Sequence, residues 1–265
     1  MLLRLAASFA AGFAIVALVT TLADVFGEGP AGFLGGLPST GAVSFIAIGL
    51  TESTSAAVQA TTLFPLGFSV TAAFLLFYAA PKELEFWPRM IGALLLWFLA
   101  ASAVALWSPD DFAVSVVASV LIALGVILAR RMVSTGRTEP SSSRPNAKGI
   151  ILRGTLGGLV VFVVVVLSMV DSPLVAGIFA AAPAIWASSL YVTNRSRGLE
   201  FSRSITRRFM QTGFLVTIPF AIAARYLFTA TGIWWGTLFA YVAVLPLGYL
   251  AWRLANPRRG SGTSP

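Results

Sequence analysis

Apolar residues in this chain come in long runs separated by short polar punctuation. Leu2 to Ala23, Phe86 to Trp107, Phe112 to Ala129 and Leu156 to Val170 approach or reach the ~20 residues that cross a bilayer as a helix. Turn-forming and charged clusters interrupt the runs: Asp24 to Pro30, Thr51 to Thr54, Pro81 to Glu85, Ser108 to Asp111, Asp171 to Pro173, and the arginine-rich stretch Arg195 to Arg208. The pattern predicts nine membrane helices, at residues 3–23, 33–50, 57–80, 87–107, 112–131, 150–170, 174–192, 209–229 and 232–254. Met132 to Lys148 is polar and contains Pro140-Ser141-Ser142-Ser143-Arg144-Pro145, which reads as a flexible linker. The first run is long for a signal peptide and shows no small-residue cleavage site, so a membrane span is expected there.

The pattern also recurs. Ala31-Gly32-Phe33-Leu34-Gly35-Gly36-Leu37-Pro38 returns as Ala176-Gly177-Ile178-Phe179-Ala180-Ala181-Ala182-Pro183, a shift of 145 (176 − 31). Gly67-Phe68-Ser69-Val70-Thr71-Ala72-Ala73-Phe74 pairs with Gly213-Phe214-Leu215-Val216-Thr217-Ile218-Pro219-Phe220 at 146 (213 − 67). Small-residue runs are common in membrane helices because they let backbones approach, but two motifs in register favour duplication. Helices one to four then match six to nine, with helix five between them. Five crossings separate equivalent helices, so the copies insert in opposite orientations. The expected fold is an all-α polytopic membrane protein of about nine helices, two inverted four-helix repeats joined by an extra helix. Residues 1–107 form the first repeat, 108–148 the connecting helix and linker, 149–255 the second repeat, and 256–265 a flexible tail.

Composition narrows the class. With 57% hydrophobic and 11% charged residues, against about 25% charged in soluble chains, a water-soluble domain is excluded. Net charge is +8, and it follows topology. Arg130, Arg131, Arg137, Arg144, Lys148 and Arg153 surround the linker; Arg195, Arg197, Arg203, Arg207 and Arg208 lie between helices seven and eight; Arg253, Arg258 and Arg259 lie in the tail. Cationic loops stay in the cytoplasm, which puts the C-terminus inside the cell (inner) membrane and the N-terminus outside. Nucleic acid is not an expected partner, because a basic face on a soluble module is missing. The absence of cysteine and histidine removes disulfides, thiolate sites, the commonest metal ligand and Ser-His chemistry. No metal, cofactor or catalytic residue is expected.

Candidate chemistry sits at the paired motifs. Pro38 and Pro183 interrupt helices at matching positions, and a proline leaves backbone carbonyls short of partners. Ser39, Thr40 and Ser44 stand near one, Ser188 and Ser189 near the other. Broken helices at equal depth in an inverted pair point to a substrate site, whereas a kink packed by small residues is the plainer alternative. Gly67, Thr71, Gly213 and Thr217 are a second set that suits either a polar path or interhelical glue. Arg225 lies within an apolar stretch. It either snorkels to the outer interface or faces inward with Asp171 as its partner on that side.

Ala176-Gly177, Pro183 six positions beyond the glycine, a polar loop with Arg203, Gly213 and Ile218-Pro219-Phe220 resemble the GlpM family of small four-helix bacterial inner-membrane proteins, over Ser172 to Trp252. The first half joins the resemblance only through the internal repeat. The chain departs in being fused and in lacking a histidine associated with that family's second helix. The resemblance implies an integral membrane protein with a link to glycerol phosphate or exopolysaccharide metabolism. Three functions are compared. A transport protein, a facilitator or exporter of a small solute with its path between the repeats, leads. A non-transporting accessory or scaffold protein follows, and a membrane-embedded enzyme comes last, having no deep acid pair. Expected partners are the lipid bilayer and a small solute, with a homo-oligomer as a further option.

Overall fold

The structure is a computed structural model that describes residues 2–26, 37–133 and 147–255. Its described residues form helices α1 (Leu2–Phe26), α2 (Ser39–Thr51), α3 (Thr54–Ala60), α4 (Phe64–Ala79), α5 (Phe86–Trp107), α6 (Phe112–Arg131), α7 (Ala147–Val170), α8 (Pro173–Ala180), α9 (Ala184–Arg197) and α10 (Leu199–Ala255). Residues 31–36 of the first motif, 134–146 of the linker and the tail from 256 lie outside the described residues.

Polar punctuation becomes helix caps. The side chains of Ser53, Asp111 and Ser172 accept hydrogen bonds from the first-turn N–H groups of α3, α6 and α8, which satisfies donors that a helix start leaves orphaned. Among the described residues six helical stretches are long and apolar enough to cross a membrane, and the α3–α4 pair, bent by 42°, would make a seventh. This is a polytopic all-α membrane protein. α2, at 13 residues, is about 20 Å long and falls short of a ~30 Å hydrocarbon core.

Several expected boundaries move. The arginine-rich stretch is not a loop: α9 runs to Arg197, Gly198 (φ 83°) turns the chain, and α10 resumes at Leu199 rather than at 209. Arginine is a good helix former, and Glu200 sits three residues before Arg203 in ion-pair contact at 2.6 Å. The expected continuous helix at 57–80 is broken between Ala60 and Phe64, and the one at 174–192 between Ala180 and Ala184. At the second break Pro183 supplies no N–H and disfavours helix in the residue before it. Within α10, Gly232 (φ 77°) reverses the chain. Gly236 packs on Phe228, and Phe220 meets Tyr241 at 4.9 Å, so α10 is an antiparallel hairpin with arms 199–231 and 233–255.

The core forms where these elements cross. α1 packs chiefly on α7 through glycines: Gly12 lies against Val161 and Gly158, and Gly157 against Val16. The α3–α4 span lies antiparallel to the first arm of α10, with Ala79 meeting Arg203, Phe68 meeting Phe214 and Val58 meeting Arg225. α5 and α6 turn broad apolar faces outward, with Leu95, Phe98, Leu99, Leu121 and Leu128 exposed, as lipid contact demands.

Candidate functional site

Two broken spans cross at their breaks. A Cβ on Gly177 of α8 would collide with the Ala60 carbonyl oxygen, and one on Gly67 of α4 would stand 2.6 Å from the Ile178 carbonyl. Only glycine permits such backbone approach. Beside the crossing lies a cavity with about 40 Å³ open to the centres of water molecules, room for about three. Pro38, Thr40 and Gly41 at the start of α2, Phe64 and Phe68 of α4, Ala180 to Ala182 at the α8–α9 break, Trp186 of α9, and Thr71 and Thr217 from facing helices contribute to its wall.

Pro38 and Pro183 occupy equivalent places. Pro38 is the N-cap of α2 (φ −76°) and Pro183 the N-cap of α9 (φ −77°). Each carbonyl accepts the first helical hydrogen bond, from Ala42 at 2.8 Å and Ala187 at 2.7 Å. The prolines therefore begin helices here rather than kink them, which corrects the interior-kink expectation. Among the described residues no side chain caps α2 or α9. Tyr241 donates to the Pro38 carbonyl at 3.5 Å.

The hydroxyls on the wall differ in state. Thr71 donates to the Ala181 carbonyl at 2.6 Å and accepts from Trp97 Nε1 at 2.8 Å, so its proton is spent on the break. Thr217 is 1% exposed, and among the described residues its hydroxyl has no partner. An orphaned buried hydroxyl costs about 1–3 kcal/mol. The lining residues carry no formal charge.

Of the sequence-predicted residues, Pro38, Thr40, Thr71 and Thr217 meet at the cavity, with Pro183 next to its wall. Gly67 packs behind it on Ile178, and Gly213 seats the rings of Phe68 and Trp186. Ser39, Ser44, Ser188 and Ser189 are not among the lining residues. Ser188 donates back to the Ile185 carbonyl at 2.8 Å, and Ser44 is buried one turn into α2. Arg225 is also absent from the lining, and Asp171 is not the partner found for it. Its guanidinium instead donates to Val58 O at 3.2 Å and Thr62 Oγ1 at 2.8 Å, and lies over Phe112 at 4.7 Å. It serves as a cap for the α3–α4 break. At the opposite end of α4, Arg89 donates to Tyr78 O and Arg203 to Ala79 O, two cations on a helix C-terminus where the dipole favours them. Phe64, Phe68 and Trp186 were not foreseen. Their signal was the nearby glycines, since Gly41 lies under Phe64 and Gly213 under Phe68.

Fold and cavity together define a polytopic all-α membrane protein with broken helices beside a small cavity. A comparison with protein-family models finds no match, and comparisons with curated proteins and with solved structures find none either.

Proposed function

We propose that the chain is a transport protein of the cell (inner) membrane, a facilitator or exporter of a small solute, whose path passes the cavity beside Pro38 and Pro183. The observation that carries this reading is the meeting of two discontinuous spans at a cavity that holds a hydroxyl with no partner among the described residues. Discontinuous helices at a repeat interface are the usual construction of a membrane substrate site. The proposed repeat is inverted. Its support is a constant offset: α1 and α7 start 145 residues apart (147 − 2), as do α2 and α9 (184 − 39) and the starts of α3 and α10 (199 − 54). Equivalent spans run antiparallel, as Phe68 meeting Phe214 and Ala79 meeting Arg203 require. α6 is then the extra helix that flips orientation, and nine passes result when the arms of α10 and the short α2 are counted. The GlpM likeness fits a four-helix unit and names no solute.

Reconstitution into liposomes tests the reading. Osmotic swelling and ion efflux across a panel of small neutral, cationic and anionic solutes should reveal one class that permeates above protein-free vesicles. Ala182→Leu, which puts three more carbons into the cavity wall, should lower that flux at equal incorporation. Flux indistinguishable from empty vesicles for every class would sink the transport reading and leave the accessory protein standing.

A further inference from the structure

We infer that the arginine cluster where α6 ends and α10 begins holds the phosphate of an anionic membrane phospholipid, seated on Arg130 and Arg207. None of these arginines lines the cavity, and the site stands whether or not the chain moves a solute.

Four guanidiniums gather there. Arg89 and Arg203, 0% and 3% exposed, donate to the successive carbonyls of Tyr78 and Ala79 at the end of α4. Arg207 stands four residues beyond Arg203 on α10, one turn along the same face. Arg130, in the last turn of α6, donates to Val133 O and lies within electrostatic reach of both Arg203 and Arg207. Arg89 is in turn within reach of Arg203 and Glu200. Among the described residues Glu200 is the carboxylate paired with this cluster, at 2.6 Å from Arg203.

The charges do not balance. Four positive groups face Glu200 and the negative ends of α4 and α6, which count for about half a charge each. The neighbouring segment outside the described residues adds no excess of acid, because 134–146 holds Arg137 and Arg144 against Glu139. Like charges held this close repel, and an anion among them relieves the repulsion. Arg89 and Arg203 are sealed in and contribute field alone. Half-buried Arg130 and exposed Arg207 can offer N–H donors, in the forked geometry that suits phosphate.

The surroundings select a lipid over a soluble phosphate. Deeper along the same two helices, Leu124 and Ile127 of α6 and Leu215 of α10 are exposed, so apolar surface continues beneath the basic pair. Basic pockets between membrane helices are established seats for anionic headgroups. α6 packs chiefly on α4 and little on α10, so a phosphate spanning Arg130 and Arg207 adds a tie that the protein supplies weakly.

Thermal melting of the full chain in dodecyl maltoside micelles tests this, with phosphatidylglycerol, phosphatidylcholine or inorganic phosphate added at equal concentration. A ligand of the folded state raises the midpoint with its concentration. Phosphatidylglycerol should raise it and the other two should not. Arg207→Gln, at an exposed position, should need about fivefold more phosphatidylglycerol for the same shift, and Arg130→Gln with Arg207→Gln about twenty-fivefold more. Lys82→Gln with Arg195→Gln removes as much charge from exposed positions outside the cluster and should respond like the wild type. Without lipid, Arg207→Gln should melt at or above the wild type because repulsion is relieved, which separates lost binding from misfolding. Equal shifts with phosphatidylglycerol and phosphatidylcholine overturn the inference, as does an equal loss in the two double variants. A shift reproduced by inorganic phosphate overturns it too, and makes the cluster a site for a soluble anion.

Discussion

Among the described glycines, Gly177 leaves the least room for a side chain, because a Cβ there would meet the Ala60 carbonyl at the point where α8 crosses α3. No flexible side chain stands there to yield, so Gly177→Ala must push one helix backbone off the other. Overpacking of this kind costs about 1–3 kcal/mol and more where backbone must move. The expected outcome is a clear fall in detergent melting temperature, together with loss of any flux, since the cavity wall at Ala180 to Ala182 follows directly. An unchanged midpoint would mean that the crossing is looser than described. Arg225 works at the same scale for the opposite purpose. Its guanidinium supplies donors to Val58 O and Thr62 Oγ1 at the α3–α4 break, where no polar residue was needed by the apolar pattern. The sequence marks it only as a cation in an apolar stretch, because the α3–α4 break it donates to is not revealed by the pattern.

Among elements, the α10 hairpin depends on one dihedral pair. Gly232 holds φ 77° and ψ 176°, a region that residues with a Cβ occupy only at a cost of about 1–3 kcal/mol. Nothing stands within 4 Å of a Cβ added there, so Gly232→Ala should lower the melting midpoint through backbone strain alone. Gly125, in the middle of α6, also has open space around it but helical dihedrals, and Gly125→Ala should stabilise the fold by up to about 1 kcal/mol and so raise the midpoint. Opposite shifts from two identical substitutions check that conformation decides. Pro38 and Pro183 make a second case. At N-cap positions they withhold no hydrogen bond from their own helices, so replacing both by Ala should change stability by less than about 1 kcal/mol. Flux per folded protein should fall as α8 and α9 gain freedom to fuse, and unchanged flux would remove the prolines from the pathway. The prolines were legible because they repeat at a fixed offset. The aromatic wall was not, since Phe64, Phe68 and Trp186 are ordinary core residues in sequence and become a wall only when the breaks turn them to face one space.

For the whole molecule, the distribution of cationic residues predicts an orientation that labelling can test. Cysteine scanning is direct, because the chain has no native thiol. Asp110→Cys should label from outside intact cells, and Met132→Cys, 88% exposed at the far end of α6, only after permeabilisation. Labelling in the reverse pattern would invert the proposed orientation. The runs that became α1, α5, α6 and α7 were readable from length and apolarity, whereas α2 and the arginine-rich start of α10 were not, one being short and the other polar. Gly12 fits against Val161 while Gly157 fits against Val16, and adding 145 to 12 and 16 gives 157 and 161, so the α1–α7 contact has the exchange symmetry of a dimer interface. A ribosome adding ~5–20 residues per second needs roughly 7–30 s to make those 145 residues. For that interval α1 has no α7 to pack on, so the α1–α7 contact forms only once the second half is being made.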